Sequence, residues 1–198
     1  VWEFSQLTIE SLHHHKDVVH SYPYKLHGER LKTDTGTQNW INCMRERTYD
    51  VFKKYIDVKP SVLKETTDMF ESNFGSKPVI GIHMRGTDKW INSKVEPLKY
   101  VDEIEIFIEK NPDGKIFLAT DDPKFLVATK EKFPDLVAMD AMRQTGNVFF
   151  DDKVDKDRKT KDVLVDSLML SFCSTLIKSW SSVSEFSVYF RMKHRKNK

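Results

Sequence analysis

Apolar residues fall at close to helical spacing from Asn39 to Asp57, at Ile41, Met44, Val51, Phe52 and Tyr55 with Thr48 among them, which predicts a helix over that stretch. Pro60-Ser61 opens a second helix, carried by Val62, Leu63, Thr66, Met69, Phe70 and Phe74 and ended by Gly75. After Gly75 the pattern changes. A strand over 79–85 is followed by a helix over 97–110, a turn at Asn111-Pro112-Asp113-Gly114, a strand over 116–120, a helix over 123–133 and a short strand over 136–139. The charged stretch from Asp151 to Asp162 predicts a mobile loop, followed by a helix over 163–173, a strand over 175–179 and a last helix from Val183 to Met192. Strands alternating with helices on short loops predict an α/β fold with a parallel sheet and right-handed crossovers. Residues 1–37 carry less pattern: a helix near Phe4 to His15, then turn formers around Tyr22-Pro23-Tyr24 and Thr33 to Gly36. The expected organisation is a mainly helical segment over 1–75, a sheet domain over 76–192 and a solvated basic tail over 193–198.

The first strand ends abruptly in charge, Val79-Ile80-Gly81-Ile82-His83-Met84-Arg85-Gly86-Thr87-Asp88-Lys89. A buried strand of this kind delivers His83, Arg85, Asp88 and Lys89 to the carboxyl edge of the sheet, where open α/β sheets bind ligands. Arg85 keeps its proton and offers a planar fork of donors, so the chemistry it suits is an anionic, phosphate-bearing ligand. A salt-bridge cluster that merely closes the strand is the competing reading.

Composition narrows the field. The 198 residues are enough for one substantial core, and 39% hydrophobic with 31% charged residues is ordinary for a globular protein. The 32 basic and 30 acidic side chains nearly cancel, so nothing drives the whole chain toward nucleic acid or membrane. No apolar run approaches the length of a membrane span. Cys43 and Cys173 stand apart, outside any zinc spacing, and are expected to be free, buried thiols; His13, His14 and His15 point in different directions on a helix and form no metal site. The chain begins at Val1 with neither an initiator Met nor a signal pattern, as expected of a piece of a longer protein, and cytoplasm and Golgi lumen are both compatible with it.

Two further strand ends carry polar groups. Ile116 to Thr120 runs into Asp121-Asp122-Pro123, where the carboxylates either cap the next helix or position a ligand hydroxyl or loop. Leu176 to Ser179 runs into Trp180-Ser181-Ser182, and Ser182-Val183-Ser184-Glu185 has the form of a capping box, whose helix start with the Ser181 and Ser182 hydroxyls is either an anion site or a bare cap. Asp166 lies among aliphatics in Val163 to Leu170. It either occupies an exposed face, the commoner arrangement, or accepts hydrogen bonds from a ligand with two adjacent N–H groups, as guanine offers.

In this order the pieces resemble the donor-binding half of the fucosyltransferase superfamily that includes the α-1,6-fucosyltransferases and the nodulation fucosyltransferases. Ile80 to Lys89 looks like the family's His-x-Arg-x-x-Asp motif, Leu118 to Pro123 like its second motif, and Asp162 to Phe190 like its third. The resemblance implies a Rossmann-like parallel sheet with flanking helices, the C-terminal nucleotide-binding half of a GT-B glycosyltransferase. It implies inverting transfer of a sugar, most specifically fucose, from a GDP-sugar to a glycan or other hydroxyl acceptor, with no cofactor and no metal. By the same resemblance His83 and Asp166 would contact guanine, Arg85 and Ser182 the β-phosphate, and Asp121 and Asp122 match a pair needed for activity.

Transfer of this kind needs charge stabilisation on the departing diphosphate and a base for the acceptor hydroxyl. Arg85, with Lys89 and the helix start at Ser182, fits the first need; Glu96 is the acidic residue at the family's place for the base. Gly86 replaces a second arginine of the mammalian-type α-1,6 enzymes, and Val183 replaces a polar residue, so the chain departs from that type. The competing class is a non-catalytic nucleotide- or glycan-binding protein of the same fold.

Overall fold

The computed structural model describes residues 38–86, 97–143, 155–179 and 181–196. The expected helix over Phe4 to His15 and the loop after it lie outside these residues. The chain divides into two compact units, residues 1–48 and 49–198. In the first, the described residues 38–48 are helical and Cys43 is exposed, contrary to the expectation that both thiols are buried.

Helix α1 (Gln38–Tyr55) contributes its last turns to the second unit. Helix α2 (Pro60–Phe74) starts on Pro60, whose missing N–H costs nothing at a first turn, and ends at Gly75 with φ 57°. Strand β1 (Val79–Met84) follows, buried throughout. A 3-10 turn at Pro97–Tyr100 leads into α3 (Val101–Lys110), then β2 (Lys115–Thr120) and α4 (Pro123–Lys132). Helix α5 (Lys156–Phe172), strand β3 (Thr175–Lys178) and helix α6 (Ser182–Lys196) complete the order.

The three strands form one parallel sheet in the order β2-β1-β3, so β1 is central. A period of two along the strands sorts side chains between two apolar layers. Ile80, Ile82, Met84, Ile116 and Leu118 pack with Tyr100, Ile104, Phe107 and Phe125 on one face. Val79, Phe117 and Ala119 pack with Phe74, Val165, Met169, Leu170 and Cys173 on the other. A third cluster joins Tyr49 and Phe52 to Leu168, Tyr189 and Phe190. Each fully buried aliphatic side chain contributes about 1.5–3 kcal/mol, and this two-sided burial is what fixes the carboxyl ends of all three strands along one edge.

Four expectations are corrected. The strand over 136–139 reduces to a single bridge, Phe117 to Val137. Arg143 draws the carbonyls of Met139, Ala141 and Thr120 to its guanidinium, so the first two are spent on a side chain instead of extending a ladder. The charged stretch expected as a loop is helical from Lys156 onward, because Asp155 caps the N–H groups of Asp157 and Arg158, both at 3.0 Å. Lys156, Asp157, Arg158 and Lys161 lie on a solvated face, where Lys161 pairs with Glu65, while Lys159 and Asp162 are half-buried. The expected basic tail is helical through Lys196, and Lys193 pairs with Asp57 and the Ile56 carbonyl. The capping box is out of register: Ser181 accepts the first helical bond from Glu185 N–H, which makes Ser181 the cap, while the Glu185 carboxylate pairs with Lys178. No helix among the described residues is long and apolar enough to cross a membrane.

Candidate functional site

Parallel strands end together, so β1, β2 and β3 present His83 and Arg85, Thr120 and Asp121, and Ser179 along one edge. Helix α5 crosses that edge and brings Asp162 and Asp166, one turn apart on the same face. Between them lies a cavity of about 60 Å³, bordered by His83, Arg85, Asp121, Asp162 and Asp166 among others.

Arg85 is held by Asp121, with Nε 3.1 Å from Oδ2, and the other Asp121 oxygen accepts the Gly86 N–H at 2.8 Å. One carboxylate therefore fixes both the guanidinium and the backbone leaving β1. Gly86 has no room for a side chain, since a Cβ there would fall 2.5 Å from Asp122 Cβ. A side chain as large as arginine is sterically incompatible with this packing. Asp122 itself is turned away from the cavity to cap α4, accepting the Lys124 N–H at 2.9 Å.

Asp166 is buried, and its Oδ1 has no hydrogen-bond partner among the described residues. Burial pushes its carboxyl up to about 7; the positive charge of Arg143 draws it back and the neighbouring Asp162 adds to the rise. The exposed-face reading of Asp166 is thereby overturned. Asp166 borders the cavity with a carboxylate oxygen for which the described residues supply no donor.

His83 is buried beside it, with Nδ1 3.0 Å from the Ser179 hydroxyl. Of the other residues expected at the site, Ser181 and Ser182 stand at the start of α6 without bordering the cavity; Val183 of the same turn does border it. Asp88, Lys89 and Glu96 lie outside the described residues. Nothing in the sequence signalled Arg143, which hydrogen-bonds the carbonyls of Thr120, Ala141 and Met139, or the Ser179 hydroxyl on the His83 ring. Asp162 carried a usable signal, four residues before Asp166, which became visible only once the helix extended back to Lys156. Its Oδ2 accepts the Met142 N–H at 3.0 Å and so ties that wall to α5. Cys173 is inert packing: burial pushes its thiol up to about 12. Among the described residues no three His, Cys, Asp or Glu side chains gather as a metal site requires.

A family model described as alpha-(1,6)-fucosyltransferase N- and catalytic domains matches residues 51–188. No curated protein matches the chain. Among solved structures, NodZ alpha-1,6-fucosyltransferase co-crystallised with GDP is similar at 18% identity over 78% of this chain and 59% of that one, with a TM-score of 0.44. A NodZ structure soaked with GDP-fucose shares 18% identity over 86% of this chain and 62% of that one, TM-score 0.45. NodZ from Bradyrhizobium shares 22% over 72% of this chain and 45% of that one, TM-score 0.44. This chain thus spans less than two thirds of each of them. With the family match running from α1 into α6 and taking in every strand, the chain belongs to the alpha-(1,6)-fucosyltransferase N- and catalytic domain family.

Proposed function

We propose that this chain is the donor-binding part of a glycosyltransferase that takes a GDP-sugar, most specifically GDP-fucose, and transfers the sugar with inversion to a hydroxyl of a glycan or similar acceptor. The observation that carries the reading is Asp166: a buried carboxylate with an orphaned oxygen, in one cavity with His83 and Arg85. The N1–H and N2–H edge of guanine supplies the pair of donors that this carboxylate lacks. Family membership supports the same ligand class.

In this reading the base sits against Asp166 and His83, and the diphosphate lies toward Arg85. As the bond to the sugar breaks, negative charge grows on the departing diphosphate, and a guanidinium already oriented by Asp121 meets it without reorganisation. Lys89 and the backbone N–H groups that open α6 at Ser181 and Ser182 add positive potential, the latter at a helix start. Asp88, a residue of the first motif, belongs with the donor-binding set. Asp121 acts through Arg85, and Asp122 through the helix it caps. Glu96 takes the proton of the attacking acceptor hydroxyl.

Calorimetric titration with GDP, ADP and UDP tests the donor assignment. GDP is expected to bind in clear preference, because a site built to pair polar ligand edges leaves buried groups unpaired when the edge is wrong. Equal affinities would overturn it. Release of GDP from GDP-fucose on addition of acceptor pools distinguishes a transferase from a protein that only binds the nucleotide.

A further inference from the structure

Past the bridge at Val137 the chain leaves the sheet, and residues 139–143 run along the site outside any helix or strand. Two side chains place them. The Arg143 guanidinium donates to the Thr120 carbonyl at the end of β2 from Nε at 3.1 Å, and to the carbonyls of Ala141 and Met139 from Nη1 at 3.2 Å and Nη2 at 2.7 Å. One bond therefore fastens the segment to β2 and two fold it onto itself, so the planar fork makes it a stapled unit. The tie on the other side is the Met142 N–H, which donates to Asp162 Oδ2 on α5 at 3.0 Å.

Ala141 and Met142 border the cavity together with Asp162, Val163 and Asp166, so these ties decide where that wall stands. No β-ladder does so, because 139–143 pairs with no strand among the described residues. A second link to α5 is weak. Arg158 stands 3.7 Å from Asp140 and 4.0 Å from Asp162, but Arg158 and Asp140 are exposed and water screens such a pair. The Asp162 side chain is only 20% exposed, and a backbone N–H on a carboxylate is among the stronger hydrogen bonds. The Met142–Asp162 bond is thus the principal polar fastening of the wall to α5 among the described residues.

We propose that Asp162 is a positioning residue: by holding the Met142 N–H it latches the segment 139–143 to α5 and sets one wall of the nucleotide-sugar cavity before the donor arrives, with Arg143 as the staple that makes the segment move as one piece. The inference rests on the GDP-sugar reading given above, but Asp162 need not touch the donor. A wall already in place loses little freedom on binding. An unlatched one must be ordered at that moment, and donor affinity falls by that cost. Asp162 also acts on Asp166 through charge, pushing its carboxyl up. Removing that charge favours the carboxylate that guanine needs, so it strengthens binding where loss of the latch weakens it. The two effects have opposite signs and are separable.

Asp162→Asn and Asp162→Ala both remove the charge, but only asparagine keeps an oxygen able to accept the Met142 N–H. Amide hydrogen exchange reads the latch directly, without nucleotide. Met142 is expected to exchange slowly in the unaltered chain and in Asp162→Asn, and roughly tenfold faster in Asp162→Ala, a lost hydrogen bond being of that order. Ile82 in the central strand should stay slow in all three, which separates an open latch from global unfolding. Calorimetry with GDP should then find Asp162→Ala about tenfold weaker than Asp162→Asn. Arg143→Lys, which retains the positive charge but not the three-way fork, should likewise speed Met142 exchange and weaken GDP binding. Met142 exchange as slow in Asp162→Ala as in the parent overturns the proposal, and so does faster exchange with GDP affinity equal to that of Asp162→Asn. If the unaltered chain binds no GDP while Met142 exchange responds as described, the donor reading falls and with it the effect assigned to the latch, although the latch itself stands.

Discussion

Arg85 and Asp121, at the ends of adjacent parallel strands, form an ion pair with Nε 3.1 Å from Oδ2. The side chains are 13% and 25% exposed, enough shelter for the pair to hold its geometry. Asp121→Asn keeps the shape but removes the charge that aims the guanidinium. Charge-assisted bonds contribute about 1.5–3 kcal/mol. The expected outcome is a fall in kcat/KM for GDP-fucose of roughly tenfold to hundredfold. Arg85→Lys should fall at least as far, because a point charge cannot reproduce a fork of donors. Steady-state kinetics on folded variants checks both, and unchanged turnover in Arg85→Lys would return the first motif to a structural role.

Asp122 should behave differently from its neighbour. Its carboxylate caps α4, so Asp122→Ala is expected to cost about 1 kcal/mol of stability with GDP affinity nearly unchanged. Denaturant unfolding and calorimetry separate the two effects. A large loss of GDP affinity without a loss of stability would place Asp122 in the site.

Asp166 makes stability fall as pH rises. Its carboxyl is held near 7 in the folded chain against an ordinary 3.8, so between those values the folded state binds more protons than the unfolded one. The penalty starts near 3.8, grows up to about 7 and is then constant. Its size is on the order of a few kcal/mol. Asp166→Asn should remove it, giving a protein more stable than the parent at pH 8 and indistinguishable from it near pH 3. The same variant should lose GDP binding. In the parent, GDP affinity should strengthen as pH rises toward and through 7, because guanine needs the carboxylate form. Thermal melts and calorimetry across pH 5–8 check both slopes.

Gly86→Ala forces a methyl group to within 2.5 Å of Asp122 Cβ, and relief requires moving the residue that caps α4. Overpacking of this kind costs roughly 1–3 kcal/mol. Melting should drop by about 2–4 °C per kcal/mol for a chain of this length. Gly86→Arg, a far larger side chain, should be worse still.

Transfer should survive excess chelator. Asp121 is engaged with Arg85 and the Gly86 N–H and Asp122 with the α4 start, so the paired carboxylates already have work other than holding magnesium. Glu96→Gln should lower turnover by roughly 10²–10⁴-fold while GDP affinity holds, as a general base acts on the acceptor. Loss of activity in chelator, or a fully active Glu96→Gln, would overturn the respective assignment.

The sequence alone determined the layered α/β pattern and the family. Period-two runs such as Ile80-Ile82-Met84, caps such as Pro60 and Gly75, and three motifs in order are local or ordinal signals, and burial on both faces of a sheet reinforces them. It placed His83, Arg85 and Asp121 at strand ends because a parallel sheet aligns those ends by construction. Only the tertiary structure decided what depends on distance across the chain. Asp166 faces inward because α5 packs over the sheet edge, and no count of its aliphatic neighbours reveals which helix face a partner covers. Arg143 takes the Met139 carbonyl at the end of the expected strand, and Ser179 meets His83 across 96 positions of sequence. Hydrophobic period records where a segment is buried; hydrogen-bond partners and orphaned atoms arise when distant segments meet, and those decide the chemistry of the site.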